Sequence, residues 1–316
     1  MFTLFDLCDL CSQDEKLTHF SRKYGLLKSK SPKCPRCEAE VGGPVEHQGK
    51  KHWRCKRRGC QKLIPCTDGS LTEGSKLNLK EILHLFYLWA HDCGGTQSVE
   101  MLGFGTETVA AWTLRLRLCV MGYEEAHHRP IGGANVEVEC DETEIGRRQK
   151  GVHGHKKVVK GDIWGAVERQ TGRVYLEIYD KMKVQEEVER RFGPPRAEEL
   201  EDLCKENIKR GTVLFTDGAR AYEVISKRLG FHHDYVDHSS GQYSKKANVA
   251  GKLRSVHTNT IDGLWGRLHC WRNNRGGVME HQHYEVLKES QWRQNLGAED
   301  PFMTLMTAIK EGHFPN

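Results

Sequence analysis

The chain has 316 residues, a formal net charge of +5 and twelve cysteines. That length suits roughly two domains, and its longest apolar stretch, Ile82 to Ala90, is far short of the roughly 20 residues a membrane span needs. A membrane-spanning protein and a small disulfide-stapled domain are both excluded as readings, so the cysteines point first to metal. The opening residues carry Asp6 and Asp9 in place of a basic leader, and the expected compartment is intracellular, or nuclear in a eukaryotic host.

Residues 1–30 read as a helical segment. Cys8 and Cys11 form a CxxC there, but among Phe2, Leu4, Phe5, Leu7 and Leu10 they suit half-buried helix positions better than a second metal site. Residues 31–66 change character. Cys34-x2-Cys37, a gap of 17 residues and then Cys55-x4-Cys60 has the paired-knuckle spacing of a structural zinc site, a zinc ribbon closed by four thiolates. Little periodic apolar character lies between them, so the module reads as built on ligands and not on a core; Cys66 is the alternative to Cys60 as fourth ligand. From Lys50 to Lys62 there are seven Lys/Arg and no acid, Arg57 and Arg58 among them. With Trp53 read as an exposed aromatic, this edge suits a phosphate backbone; a solvated charge face is the plain alternative.

Residues 67–129 read as helical. The apolar positions Leu79, Ile82, Leu83, Phe86, Leu88 and Trp89 suit a helix buried on most sides, stopped by Gly94-Gly95. Gln97 to Leu102 and Thr106 to Val120 follow, with Thr106 placed as N-cap. A short helix, a glycine-containing turn and a longer helix with polar residues on its face form a helix-turn-helix signature.

Residues 130–300 read as one α/β domain, a mixed sheet flanked by helices, with residues 301–316 as a C-terminal helix and tail. Val136, Val138 and Cys140 alternate with Glu137, Glu139 and Asp141 at strand spacing. Ile163 to Val167 and Val174 to Tyr179 read as a hairpin, residues 184–209 as acidic helix, and Thr212 to Thr216 as a buried strand ending at Asp217. A helix to Leu229, a strand near Phe231 to Val236, and a polar loop over residues 237–257 follow. The last strong helix starts near Asn259, with Ile261, Leu264, Trp265 and Leu268 on one face.

Asp141 and Asp217 end strands, and Asp262 opens a helix. Carboxylates placed in this way can converge on a pair of divalent ions, as phosphoryl transfer requires, and hard oxygen ligands select Mg²⁺ or Mn²⁺. Each aspartate also has a structural reading. Glu137, Glu139, Asp141, Glu142 and Glu144 form an acidic alternation that suits a solvated strand face, in which Glu139 or Glu142 is the alternative ligand. Asp217-Gly218 suits a turn with Asp217 as a cap, and Asn259 with Asp262 three residues on resembles a capping box.

Four sets of residues carry a family resemblance: Cys140-Asp141-Glu142-Thr143 with Ile145-Gly146; Trp164-Gly165; Phe215-Thr216-Asp217-Gly218 with Ala221-Tyr222; and Val256-His257-Thr258-Asn259-Thr260-Ile261-Asp262-Gly263-Leu264-Trp265. In this order they resemble the DDE transposases of the Merlin group, which carry an ISXO-two-like transposase domain. The resemblance runs from about residue 30 to about residue 295. It implies an RNase H-like catalytic fold, metal-dependent cutting and joining of double-stranded DNA at transposon ends and target, and a homo-oligomer. By position Asp141 and Asp217 match the first and second catalytic acids. At the third position the family usually has Glu and some relatives use Asn; here Asp262 fills it, with Asn259 also present. Aspartate is one methylene shorter, which retracts the carboxylate by about 1 Å. A transposase-derived DNA-binding protein with weak or no activity is the alternative reading. Arg147, Arg148, Lys156 and Lys157 form a basic loop after Asp141, and Lys245 and Lys246 precede the last helix; all six are candidate DNA contacts.

Overall fold

A computed structural model describes residues 1–152, 155–179, 197–274 and 282–312, with side chains described for these except 144–152, 155–162, 179, 197, 198 and 274. The chain divides into two compact units, Met1–Ala126 with Ala298–Asn316, and His127–Gly297. None of the described helices is long and apolar enough to cross a membrane.

The first unit opens with helices α1 (Leu4–Ser12) and α2 (Asp14–Lys23), followed by the antiparallel strands β1 (Val41–His47), β2 (Lys50–Cys55) and β3 (Leu63–Pro65). Trp53 is not an exposed aromatic. Only 3% exposed, it packs with Leu27, Val41 and Ile64 around the cysteines, so the module has a small core after all. Helix α3 (Leu79–Ala90) starts at a capping box in which the Asn78 side chain accepts from the Lys80 and Glu81 N–H groups and Glu81 accepts from the Asn78 N–H at 2.7 Å. Ile82, Leu83, Leu85, Phe86, Trp89 and Ala90 are buried, the broad apolar face expected. Helices α4 (Gly95–Leu102) and α5 (Thr106–Ala126) follow. The Gly105 carbonyl accepts from the Val109 N–H, so Gly105 caps α5 and Thr106 is its first helical residue.

The last helix, Pro301–Lys310, belongs to this unit. Asp300 caps it, accepting from the Met303 N–H at 2.9 Å, and the Phe302 ring stacks on Phe2 and Phe20 at 5.0 and 6.2 Å. The N-terminal helical segment and the C-terminal helix thus share one aromatic core.

The second unit is a five-stranded mixed sheet. In chain order its strands are β5 (Glu137–Val152), β6 (His155–Glu168), β7 (Val174–Tyr179), β9 (Val213–Thr216) and β10 (His232–Tyr235); their spatial order is β10-β9-β5-β6-β7. Strands β5, β6 and β7 form an antiparallel meander, while β9 runs parallel to β5 and β10 parallel to β9. A short parallel pair, β4 (Ile131–Gly132) with β8 (Ile208–Lys209), lies beside it. Helices α6 (Ala197–Asn207) and α7 (Arg220–Leu229) cover one face, where Val138, Cys140, Trp164 and Ala166 meet Leu200, Tyr222 and Ile225. Helices α8 (Asn259–Asn274) and α9 (His283–Asn295) cover the other, where Ile163, Val167 and Leu176 meet Ile261, Leu264, Trp265, Leu268 and Leu287. Alternate residues of each strand feed the two cores.

Helix α9 closes the β7 edge of the sheet with polar side chains. Gln291 accepts from the Leu176 N–H, Lys288 donates to the Leu176 carbonyl, and Asn295 both accepts from the Val174 N–H and donates to its carbonyl, all at 2.8–3.1 Å. Lys288 also pairs with Glu177 at 2.9 Å, which accounts for a lysine only 4% exposed.

Two expected loops are strands. Residues 237–257 contain a short 3-10 turn (His238–Ser240) and the hairpin β11 (Lys245–Val249) and β12 (Lys252–Val256), joined by Ala250-Gly251 with φ of 52° and 73°. Lysines mask the alternation in which Val249 and Val256 face the core formed with Val213, Phe215 and Val236. The basic loop after Asp141 is also paired backbone: β5 runs on to Val152, and Lys150 and Gly151 lie opposite Lys157 and Lys156. Of the acidic helix expected over 184–209, residues 184–196 lie outside those described and the remainder is α6.

Candidate metal centres and carboxylate site

In the first unit the Sγ atoms of Cys34, Cys37, Cys55 and Cys60 all lie within 4.8 Å of one another. Cys34 and Cys60 are 3.7 Å apart, and Cys37 and Cys55 3.5 Å. A tetrahedron with zinc–sulfur bonds of about 2.3 Å has edges of about 3.8 Å, so four thiolates placed in this way fit zinc closely. Burial opposes ionisation of Cys34, but the backbone N–H groups of Arg36 and Cys37 and the neighbouring thiols outweigh it and bring this thiol down to about 6. Cys66 lies outside the group of four; it is buried, and burial pushes its thiol up. Cys8 and Cys11 both lie on α1, where Cys8 is exposed and Cys11 buried instead of both being half-buried.

In the second unit Asp141 lies on β5 and Asp217 immediately follows the adjacent parallel strand β9. Glu139 of β5 is in register with Phe215 of β9, and each aspartate comes two residues later. Glu139 and Phe215 share the Arg169 guanidinium, 2.6 Å from Glu139 Oε1 and 4.4 Å above the Phe215 ring, which places both on the sheet face that α8 covers. Two-residue periodicity carries Asp141 to that same face, and Asp217 is the first residue past the end of β9. Trp265 of α8 donates its indole N–H to Asp141 Oδ2 at 2.9 Å. Burial pushes the Asp141 carboxyl up to about 7; the Trp265 bond opposes this and the charge of Asp217 adds to it. Asp217 accepts from the Ala219 N–H at 3.2 Å as the chain turns into α7. Gly218 has φ +91°, and a Cβ there would lie 2.8 Å from the Tyr235 ring, so only glycine allows this turn.

Asp262 lies one turn inside α8. Its backbone N–H bonds the Thr258 carbonyl, and its Oδ2 accepts from the Thr258 hydroxyl at 3.2 Å. The cap of this helix is therefore Thr258, and Asn259, exposed, is its first residue; the capping box expected between Asn259 and Asp262 is absent. The Asp262 carboxyl is raised, chiefly by burial and against the Thr258 hydrogen bond and His238, with the Glu139 and Asp217 charges adding. Asp217 thus stands within electrostatic reach of both Asp141 and Asp262, although no three carboxylates among the described residues bring oxygens within 4.8 Å of one another.

Glu139 and Glu142, the alternative ligands, are both engaged elsewhere. Glu139 is fully buried and holds the start of α8, accepting from the Thr260 N–H and hydroxyl, each at 2.8 Å, and from the Ile261 N–H at 2.9 Å. Arg169 supplies its counter-charge and also bonds Glu137 (3.0 Å) and the Ser255 and His257 carbonyls (2.9 and 2.8 Å). Glu137 is held down, against its burial, by Arg254 and Arg169. Arg169 Nη2, the Asn259 N–H and Glu139 Oε1 all approach His257 Nδ1, at 3.1, 3.3 and 3.3 Å, so the imidazole is part of the same polar cluster. On the opposite face Glu142 accepts from Tyr222 Oη at 2.6 Å, and Trp164 Nε1 donates to that same oxygen at 3.2 Å.

The acidic alternation from Glu137 to Glu142 is thus no solvated face; the Glu144 side chain lies outside those described. Sequence reasoning missed the Glu139–Arg169 clamp, yet its signal was present: on a strand covered by helices on both faces, an alternating acid has no water to meet. Among the candidate DNA contacts, Arg57, Arg58 and Lys246 are exposed, while Lys245 is paired with Asp234 at 2.7 Å. The side chains of Arg147, Arg148, Lys156 and Lys157 lie outside those described.

No curated protein matches this chain. Residues 120–295, more than half of it, match the ISXO2-like transposase domain. That span contains the whole carboxylate site, the sheet that carries it and the clamped helix, and the chain belongs to this family of DDE transposases.

Proposed function

We propose that the protein is a DNA transposase of the Merlin group that cuts and joins transposon ends by metal-dependent phosphoryl transfer. The observation that carries this reading is the placement of Asp141 on β5 and of Asp217 just past the end of the adjacent parallel strand β9, each two residues beyond the Glu139–Phe215 register pair, with Asp262 on a helix clamped to the same sheet. The strand order, three antiparallel strands and then two parallel ones on the far side of the first, supports an RNase H-like fold.

Asp141, Asp217 and Asp262 are the proposed holders of Mg²⁺ or Mn²⁺, with Asn259 the alternative third ligand. When bound, a pair of such ions supplies Lewis acidity at both the attacking and the leaving oxygen of an in-line displacement. The protein's part is positional: Trp265 fixes one oxygen of Asp141, the Gly218 turn sets the direction of Asp217, and Glu139 fixes the first turn of the helix bearing Asp262.

The four-cysteine module is proposed to hold structural zinc as a ribbon over residues 31–66, and α4–α5 to act as a helix-turn-helix within 67–129. DNA is the partner the family implies. Arg57, Arg58, Lys245 and Lys246, with Arg147, Arg148, Lys156 and Lys157, are the proposed contacts, on a protein working as a homo-oligomer. One observation favours a second reading, a DNA-binding protein with weak or no cleavage: the three aspartates do not close to 4.8 Å, and Asp262 has the shorter reach. The decisive assay is Mg²⁺-dependent strand cleavage of DNA carrying the element's ends by the purified chain, with Asp217→Asn as control. Cleavage that survives Asp217→Asn overturns the assignment.

A further inference from the structure

Three aromatic rings among the described residues are largely exposed, those of Phe5, Tyr235 and Tyr243. Two of them adjoin the carboxylate site, and their surroundings differ. The Tyr235 ring packs against Gly218, and the Lys245 ammonium lies 5.0 Å above it, so this ring is already engaged. Tyr243 is 64% exposed and touches the His238 ring, with centroids 5.2 Å apart at a 37° tilt. His238 Nε2 lies 3.4 Å from the Thr258 hydroxyl, which in turn donates to Asp262 at 3.2 Å. An unbroken run of contacts, Tyr243–His238–Thr258–Asp262, thus joins a solvent-facing ring to the candidate third acid. Lys246, exposed, lies three residues on from Tyr243 at the start of the β11–β12 hairpin.

A phosphodiester held at the aspartates brings its neighbouring nucleotides across this surface. An exposed ring with an exposed ammonium group close by in the chain matches the two chemical features of single-stranded DNA, a π face on each base and an anion on each linkage. We infer that Tyr243, backed by His238, is a stacking platform for an unpaired nucleobase next to the cleaved linkage, with Lys246 on an adjoining phosphate. This rests on the transposase reading and adds to it a site for single-stranded character at the DNA end.

The test uses the full chain and two DNA duplexes of equal length, one blunt and one with a four-nucleotide unpaired tail carrying 2-aminopurine, whose fluorescence stacking quenches. The wild type is expected to bind the tailed duplex about tenfold more tightly and to quench the probe. Tyr243→Phe is expected to keep both effects. Tyr243→Leu, which keeps apolar area but has no π face, is expected to bring the tailed duplex down to blunt-duplex affinity and to abolish quenching, while blunt binding and Mg²⁺-dependent cleavage of blunt ends persist. If the wild type cuts DNA but Tyr243→Leu weakens both duplexes equally, or neither, the platform is overturned and the transposase reading stands. If the wild type neither binds nor cuts either duplex, both fall.

Discussion

The Trp265 indole reaches Asp141 because residue 165 has no side chain. Gly165 lies directly across from Asp141 on β6, and a Cβ there would fall 2.3 Å from the Trp265 ring. Gly165→Ala is expected to displace the indole, with a stability loss of about 1–3 kcal/mol by chemical denaturation. Cleavage is expected to fall about 100-fold, since a shift of about 1 Å in a metal-holding carboxylate is sufficient. Trp265→Phe keeps most of the packing and loses only the donor, so its stability should change less than its activity.

Glu139→Gln leaves Arg169 buried without its closest counter-charge. Breaking a buried ion pair from one side costs about 3–5 kcal/mol, which urea unfolding would measure. Glu137 and two carbonyls still face Arg169, so the lower end is expected. The α8 N-terminus also loses a charged acceptor, so amide exchange at Thr260 and Ile261 should accelerate more than exchange in β9.

The raised Asp141 carboxyl makes cation binding a competition with a proton. In the unfolded chain this group ionises near 3.8, and in the metal-free fold near 7. Between these values the folded state holds the extra proton, so metal-free stability is greater at the acid end of the window and declines as pH rises through it. Mn²⁺ affinity follows the opposite trend: calorimetric titration should show it falling about tenfold per pH unit below 7. Asp217→Asn removes a like charge and should move the break to lower pH.

The purified protein is expected to contain one zinc per chain by elemental analysis, lost on Cys34→Ser or Cys55→Ser and retained on Cys66→Ser. Loss of zinc should unfold the cluster around Trp53 and quench or shift its fluorescence, because that core is wrapped on the four thiols.

Asp262→Glu should separate the two readings of function. A gain of about 100-fold in cleavage marks an enzyme whose third acid falls short; absence of cleavage in both forms marks a DNA-binding protein.

The legible parts of this chain were those where one local pattern leaves one solution. The cysteine spacing picked out four residues whose sulfurs do meet, and the one-face run Ile261, Leu264, Trp265 and Leu268 marked a helix that is buried along that face. The illegible parts depended on partners distant in sequence. Glu139 looks solvent-facing until Arg169 and the Thr260 N–H are brought to it. The β11–β12 hairpin was hidden because its core-facing residues are few and its outward ones are lysines. Trp53 was misread because basic neighbours on a three-stranded sheet say nothing of what its other face covers.

The polar seam of α9 along β7 has a consequence for assembly. With Val174 and Leu176 already bonded to Gln291, Lys288 and Asn295, this margin offers no open backbone for a neighbouring molecule to extend the sheet. Extension of this five-stranded sheet by a second molecule is thereby confined to its opposite margin, β10, so a neighbouring molecule that approaches on the β7 side can meet the protein only through side chains.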